Sequence, residues 1–156
     1  MGLNDAQYEQ LLKPLNERRV AHRAQAGRNF SYLEAWDVKA HLIRIFGFGG
    51  WSWEVLSADL MFEDSKDGKW NVGYKVLGRL RLESLHCSYT EAAVGSATLP
   101  QRGEAHDMAV KTGESDALKR AAINLGTQFG LSLYNNGSLQ DVVGRTLDVE
   151  GTPADD

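Results

Sequence analysis

The sequence predicts an α+β fold with a three-stranded antiparallel β-meander, one long α-helix and short flanking helices. One observation is a run of helix-forming residues between Glu104 and Gly126 that no proline interrupts. The other is the alternation of apolar and polar residues from Lys69 to Glu83, which is typical of a strand with one buried face.

Composition and charge set limits on the class of protein. The chain has 156 residues, 42% hydrophobic and 24% charged, as expected for a globular domain. We expect one domain over residues 1–140 and an acidic, mobile tail over residues 141–156. The tail has five acids and one base and so carries the whole net charge of −4. Because residues 1–140 are neutral, a local basic patch there can still attract a polyanion.

Targeting segments, membrane helices and disulfide patterns in a sequence indicate where a protein is located. The polar N-terminus has no signal-peptide pattern, and no apolar run reaches the length of a membrane helix. The single cysteine, Cys87, excludes an internal disulfide and suits a reducing compartment. We therefore expect no membrane association.

The first part of the chain predicts two helices around a basic segment. Asn4 and Asp5 can cap a short helix that runs to Leu12, before Pro14. The segment Arg18–Arg28 contains four arginines and predicts a basic loop or a short strand.

A second helix is expected after this basic segment. Ser31 is its predicted cap, with Glu34 at the capping-box position, and Gly47 its predicted end. Its predicted buried stripe consists of Val38, Leu42, Ile45 and Phe46.

Three strands follow a glycine-rich turn. They are predicted over Trp51–Phe62, Lys69–Glu83 and His86–Val94, and Asp67–Gly68 is a hairpin signal between the first two. Phe48 and Trp51 flank the glycine turn, and we expect them in the core or in a subunit interface rather than stacked on bases.

The long helix carries a basic pair. Lys119 and Arg120 are adjacent, so they cannot both lie on the buried face, which is predicted to hold Met108, Leu118, Ala122 and Leu125. Gly113 permits a kink or close packing in mid-helix. Taken alone, the pair could be ordinary solvated surface, with Asp116 paired to Arg120.

No motif indicates catalysis, a metal or a cofactor. The sequence has no CxxC, HExxH or Walker pattern, and neighbouring residues such as His86 and Cys87 point to opposite faces of a strand. Asp64 and Asp67 could be nuclease carboxylates but are typical turn residues. We therefore predict a protein that is not an enzyme.

Four separated pieces together resemble one family. They are Arg23 followed by Tyr32 and Glu34, the turn FGFGGWS at residues 46–52, GKWNVG at residues 68–73, and ESDALKRA at residues 114–121. In order and spacing they are similar to the DNA-binding domain of the Rad52 family of single-strand annealing proteins. The short chain is most similar to phage or prophage members.

The resemblance implies a function and a set of contacts. It implies a sheet packed on the long helix, subunits assembled into a ring or helical oligomer, and annealing of single-stranded DNA without ATP in recombination and repair. Residues 1–140 would then be the annealing domain. The DNA contacts that the resemblance implies are Arg23, Lys69, Lys119 and Arg120, and we predict three further contacts, Arg28, Tyr32 and Lys111.

The resemblance also implies partners and a location. Single-stranded DNA and further copies of the chain are the main expected partners, with a host single-strand-binding protein as an additional candidate. The expected location is the cytoplasm, at the nucleoid of a bacterial host.

Two other functions fit the same elements. A sheet with a helix also suits a module that binds double-stranded RNA, which would recognise duplex shape as an isolated unit. A structural oligomer without nucleic-acid function would leave Lys119 and Arg120 as ordinary surface residues.

Overall fold

The computed structural model describes residues 2–147, which form two compact units. The first unit contains both ends of the described chain, up to Phe48 and from Ala122 onward, and the second contains Gly49–Ala121. The predicted α+β class is confirmed, with a three-stranded antiparallel sheet, a long helix and shorter helices.

The sheet of the second unit is a meander of long strands. The antiparallel order is β3 (Trp51–Lys66), β4 (Lys69–Leu82) and β5 (Cys87–Leu99). The β3–β4 turn consists of Asp67 and Gly68, both at positive φ (+53° and +74°), which suits a two-residue hairpin. Because this turn is so short, β3 runs four residues beyond the predicted end at Phe62.

The long helix α3 (Arg102–Ala122) packs on this sheet through small side chains. Ala105 and Ala109 contact Val72 of β4. Farther along, Ala117 packs with Val76 of the same strand. Val72, Val76, Ala105, Ala109 and Ala117 are all fully buried. The small side chains let the helix approach the sheet closely.

The closest approach is backbone to backbone. A Cβ atom built on Gly95 of β5 would lie 2.2 Å from the Gly113 nitrogen and 2.4 Å from the Ala109 carbonyl oxygen. No real Cβ atom tolerates such distances, so position 95 requires glycine. Gly113 therefore serves close packing, one of the two roles that the sequence allowed.

This packing decides which residues of α3 are buried. Leu118, Ala122 and Leu125 are buried as predicted, but Met108 is 50% exposed, so its predicted place on the buried face is wrong. The residues of α3 that face the sheet are spaced four apart, at Ala105, Ala109, Gly113 and Ala117, and Met108 lies off this row. The α-helix itself ends at Ala122, and a 3₁₀ turn, Ile123–Leu125, leads to Gly126 at φ +95°.

The first unit contains two helices and a β-hairpin. Its elements are α1 (Asp5–Leu11), β1 (Ala21–Gln25), β2 (Arg28–Tyr32) and α2 (Ala35–Phe46), with 3₁₀ turns at Glu17–Arg19, Thr127–Phe129 and Leu131–Tyr134. Arg18 and Arg19 of the basic segment lie in the first of these turns, and Arg23 and Arg28 lie in the two strands, so the predicted short strand is confirmed rather than the loop.

Helix caps in this unit agree with the sequence at α1 and differ at α2. The Asn4 side chain accepts a hydrogen bond from the Gln7 backbone N–H and forms the capping box of α1. The predicted Ser31 cap of α2 is wrong, because Ser31 lies in β2 and Glu34 occupies the cap position, where its side chain makes no capping hydrogen bond. Gly47, at φ +81°, ends α2 as predicted.

A buried polar network holds the first unit together around Gln128. Its side-chain amide donates to the carbonyl oxygens of Lys13 and Pro14, at 2.9 and 2.8 Å. Its oxygen accepts from Gln10 at 2.9 Å and from the His41 ring at 2.8 Å. Every hydrogen-bonding position of the amide is therefore used, as a buried polar group requires.

The buried His41 ring in this network stays neutral. Arg44 donates to Nδ1 at 2.8 Å, so that nitrogen acts as an acceptor. Burial, and then the positive charge of Arg19, lower the pKa of His41 to about 4.

Two further expectations concern exposed parts of the chain. Phe48 is 91% exposed, so it does not lie in the core of this chain, whereas Trp51 is half-buried.

The start of the acidic segment is hydrogen-bonded: Val142 donates to Thr127 Oγ1 at 3.0 Å, and Thr146 donates to the Tyr8 hydroxyl at 3.3 Å. The remainder of the predicted tail, residues 148–156, lies outside the described residues.

We expect Gly95→Ala to destabilise the second unit. The added methyl group overlaps the α3 backbone, which cannot move without displacing the helix, so a loss of about 1–3 kcal/mol follows. Gly103→Ala is the matched control, since no atom lies within 4 Å of its added carbon and alanine favours a helix. Urea denaturation of both variants measures the difference, and a Gly95→Ala protein as stable as wild type would contradict the close contact.

We expect stability to fall as the pH is lowered from about 6.5 to about 4. In this window the unfolded chain protonates His41 whereas the folded chain does not, so the unfolded state binds more protons. His41→Gln should flatten this slope, and His86→Asn, a change at an exposed histidine, should not. Thermal melts across this range test the prediction, and equal slopes in wild type and His41→Gln would refute it.

Candidate nucleic-acid interface

The hairpin places predicted DNA contacts on one of its faces. Arg23 pairs with Phe30 in the β1–β2 register, Gln25 with Arg28 and Ala21 with Tyr32. Alternate residues of a strand share a face, so these three cross-strand pairs lie on the same side of the ribbon. We call this side, formed by Ala21, Arg23, Gln25, Arg28, Phe30 and Tyr32, the hairpin face.

The hairpin face combines cations with aromatic rings. The guanidinium carbon of Arg23 lies 5.9 Å from the centre of the Phe30 ring and 5.8 Å from that of Tyr32. These distances are within the range of cation–π contacts. Arg23 and Arg28 are exposed, and Phe30 is 42% exposed. Two rings thus orient Arg23 while its charge stays accessible.

The segment that forms the hairpin contains basic residues and no acidic ones. No aspartate or glutamate occurs between Glu17 and Glu34. On the opposite side of the ribbon, the Ser31 hydroxyl lies 3.1 Å from His22 Nδ1, a hydrogen bond that links the two strands.

One arginine of the basic segment has a structural role instead. Arg19 donates through Nη2 to the buried Asp37 carboxylate at 2.9 Å, and through Nη1 to the Gln128 carbonyl oxygen at 2.7 Å. Both side chains of the ion pair are nearly buried, so Arg19 fixes the base of the hairpin against α2. It is not available to a ligand.

The second group of predicted residues lies at the C-terminal end of α3. Lys119 forms an ion pair with Asp116 at 3.3 Å, one turn earlier in the helix. The alternative pair that the sequence allowed, Asp116 with Arg120, is not formed. Arg120 is exposed, and among residues 2–147 no carboxylate lies within ion-pair distance of it. Lys119 and Arg120 together define the helix pair.

Lys111 stands apart from the helix pair. It is exposed and forms an i,i+4 ion pair with Asp107 at 2.7 Å. Eight residues separate it from Lys119, a rise of about 12 Å along the helix axis. The structure therefore places Lys111 on the same helix but with its charge partly compensated.

Lys69 lies at the other end of the second unit. It begins β4 directly after the hairpin turn and pairs in register with Lys66 of β3. The next residue, Trp70, packs near Ala105 in the first turns of α3. Lys69 is therefore close to the start of α3, whereas the helix pair is at its end, so the two lie apart.

A cluster of charged and aromatic side chains lies next to Lys69. The Arg102 guanidinium lies 4.9 Å from the Trp70 ring centre and donates two hydrogen bonds to Glu63, at 2.9 and 3.1 Å. His106 bonds to the same carboxylate and to the Tyr74 hydroxyl. The hydrogen bonds from Arg102, and then that from His106, lower the pKa of Glu63.

Sequence reasoning missed several of these neighbours. Phe30 follows the turn in an alternating N-F-S-Y pattern that could have indicated β2. Its turn, however, is formed by Ala26 and Gly27, both at positive φ, and alanine is not a usual residue there. The contacts of Arg102 depend on the packing of α3 against β3 and β4, which no local pattern encodes.

The chemistry available here is electrostatic and aromatic. No group of three or more potential metal ligands occurs among the residues that the structure describes. None of its described helices is long and apolar enough to span a membrane. Exposed arginine and lysine contact phosphates without reading sequence, and aromatic rings can stack on bases.

Comparison with a family model gives a match over nearly the whole chain. The model is described as Rad52/22 family double-strand break repair protein, and it matches residues 4–146. This match includes the hairpin, the sheet and the helix pair.

Several curated fungal proteins are similar to the chain. The DNA repair and recombination protein rti1 of Schizosaccharomyces pombe is 32% identical over 120 residues, which are 75% of this chain and 32% of that protein. The protein rad22 of the same yeast is 29% identical over 85% of this chain and 29% of its own length. RAD52 of Saccharomyces cerevisiae is 31% identical over 83% of this chain and 28% of its own length. The chain thus spans less than a third of these relatives.

Proposed function

Because this chain belongs to the Rad52/22 family of double-strand break repair proteins, we propose that it binds single-stranded DNA and anneals complementary strands without ATP. The hairpin face is the observation that carries this proposal. It presents Arg23 and Arg28 beside two aromatic rings in a segment without acids. The names of the similar proteins, DNA repair and recombination proteins, support a role in those processes.

The proposed contacts suit annealing rather than sequence recognition. A second strand can pair only if the first is held by its backbone and its pairing edges stay accessible. Arginine and lysine on phosphates meet that requirement. We propose Arg23, Arg28 and Tyr32 in the first unit, and Lys119, Arg120 and Lys111 in the second, as contact residues. Lys69 is proposed as part of a separate contact.

Self-assembly is part of the same proposal. In the order β3–β4–β5, β3 is an edge strand, and long exposed edges of a lone subunit promote association. Four apolar residues of β3 are exposed, namely Val55, Leu60, Met61 and Phe62. This edge supports a homo-oligomer, whose many subunits would add weak contacts along one DNA strand.

The remaining proposals concern activity and location. We propose that the protein is not an enzyme, that a host single-strand-binding protein is a candidate partner, and that it works at DNA in the bacterial cytoplasm.

An annealing assay without nucleotide tests the central proposal. Purified protein should speed the pairing of two complementary fluorescent oligonucleotides above the spontaneous rate, with no dependence on ATP. In gel shifts, it should prefer single-stranded DNA to duplex RNA. Preference for duplex RNA would support the double-stranded-RNA-binding alternative, and a failure to bind any nucleic acid would support a purely structural role.

Replacing both Lys119 and Arg120 by alanine should weaken binding similarly on all DNA sequences. Each phosphate contact to a single strand contributes about 0.7 to the slope of log K against log salt, so the slope should fall by about 1.4. The matched control is Arg79→Ala with Arg81→Ala, which also removes two charges from the second unit. Those arginines lie within ion-pair distance of Glu54 and Glu83.

Fluorescence anisotropy across a salt series measures both double variants. Size-exclusion chromatography has to show that each retains the assembly state of wild type. Unchanged affinity and slope in the Lys119/Arg120 variant would remove the helix pair from the site.

A further inference from the structure

We propose that Phe30 stacks on a nucleobase, so that the hairpin face binds single-stranded DNA through its bases as well as its phosphates. This inference rests on the proposed function and deepens it, since it names the chemical group that one further residue recognises. Sequence analysis assigned Arg23, Arg28 and Tyr32 to DNA but did not assign Phe30.

Phe30 lies on the hairpin with much of its ring accessible. It lies on a two-stranded ribbon, directly opposite Arg23, and 42% of it is exposed. Burial in a core therefore does not explain the ring. The structural role that the contacts give Phe30 is a cross-strand pair with Arg23, which is a modest contribution to a two-stranded hairpin.

Its neighbours supply what a stacked base needs. The Arg23 guanidinium lies 5.9 Å from the Phe30 ring centre and 5.8 Å from that of Tyr32, so ring, cation and ring are held side by side. Arg28 occupies the same face and can contact a flanking phosphate. Aromatic rings beside a basic track are the usual arrangement in proteins that bind single strands without sequence preference.

Stacking is also compatible with annealing. A ring that covers the flat side of a base leaves its pairing edge uncovered, because that edge is perpendicular to the stack. Every base has a π-face, so the contact tolerates any sequence. One stacked base per subunit would hold the DNA strand at regular intervals while the pairing edges of its bases remain available.

The decisive experiment compares two ligands with the same backbone. One is fluorescein-labelled oligothymidine, and the other is an abasic oligonucleotide of equal length built from tetrahydrofuran spacers. Wild type should bind oligothymidine more tightly than the abasic strand. Base stacking contributes about 1–3 kcal/mol per base, so Phe30→Leu should lose about 5- to 150-fold on oligothymidine. Its affinity for the abasic strand and its salt slope should not change.

Three variants complete the design. Phe30→Trp should retain the preference for oligothymidine. Arg23→Ala should weaken the binding of both oligonucleotides and lower the salt dependence of their affinity, because it removes a positive charge. Tyr134→Leu is the control for loss of an exposed aromatic residue in the same unit, and it should behave as wild type. Matching thermal melts establish that each variant is folded.

Two results would overturn the inference and leave the proposed function standing. One is wild type that binds both oligonucleotides equally well. The other is a Phe30→Leu variant that loses affinity for both oligonucleotides by the same factor, since the ring would then only orient Arg23 toward a phosphate. If wild type binds neither oligonucleotide, the proposed function itself is refuted, and the inference with it.

Discussion

The contact between Gly95 and the backbone of α3 is the constraint on which the second unit depends. It brings a helix against a β-strand at a distance that no side chain allows. The buried stripe of α3 on either side of this contact then has to consist of small residues, and it does, in Ala105, Ala109 and Ala117. Because this stripe holds one side of the helix against the sheet, Arg120 is left exposed.

In the first unit, buried polar groups hold the elements together, as the small residues of α3 do in the second unit. The ion pair of Arg19 with Asp37 joins the chain just before the hairpin to the helix after it, and the amide of Gln128 holds the chain farther upstream. Arginines of one short segment therefore differ in function. Arg19 is buried and compensated, whereas Arg23 and Arg28 are exposed where no acid is near in sequence. Burial, rather than residue type, separates the structural Arg19 from the arginines that we propose to contact DNA.

The overall charge of the protein is a poor guide to its proposed ligand. The formal charge is −4, yet the hairpin face and the helix pair present accessible cations. A polyanion responds to the local field within about 10 Å at moderate salt, and charges farther away are screened. Lys111 and Lys119 contribute less to this local positive field than an unpaired lysine would, because each forms an ion pair with a carboxylate.

Elements with local signals could be predicted from the order of residues alone. The alternation in β4, the Asp67–Gly68 turn and the helix formers of α3 each depend on neighbouring residues, and the structure contains all three. The resemblance carried by four motifs also led to the family. The hairpin was not predicted, because both faces of its ribbon are largely exposed and its Ala26–Gly27 turn is atypical. Three features follow from the packing of the folded chain instead: Met108 is exposed, Arg102 lies over Trp70 and Phe30 lies beside Arg23. These outcomes depend on how closely backbones approach and which strands pair, and residue spacing along one chain does not encode either.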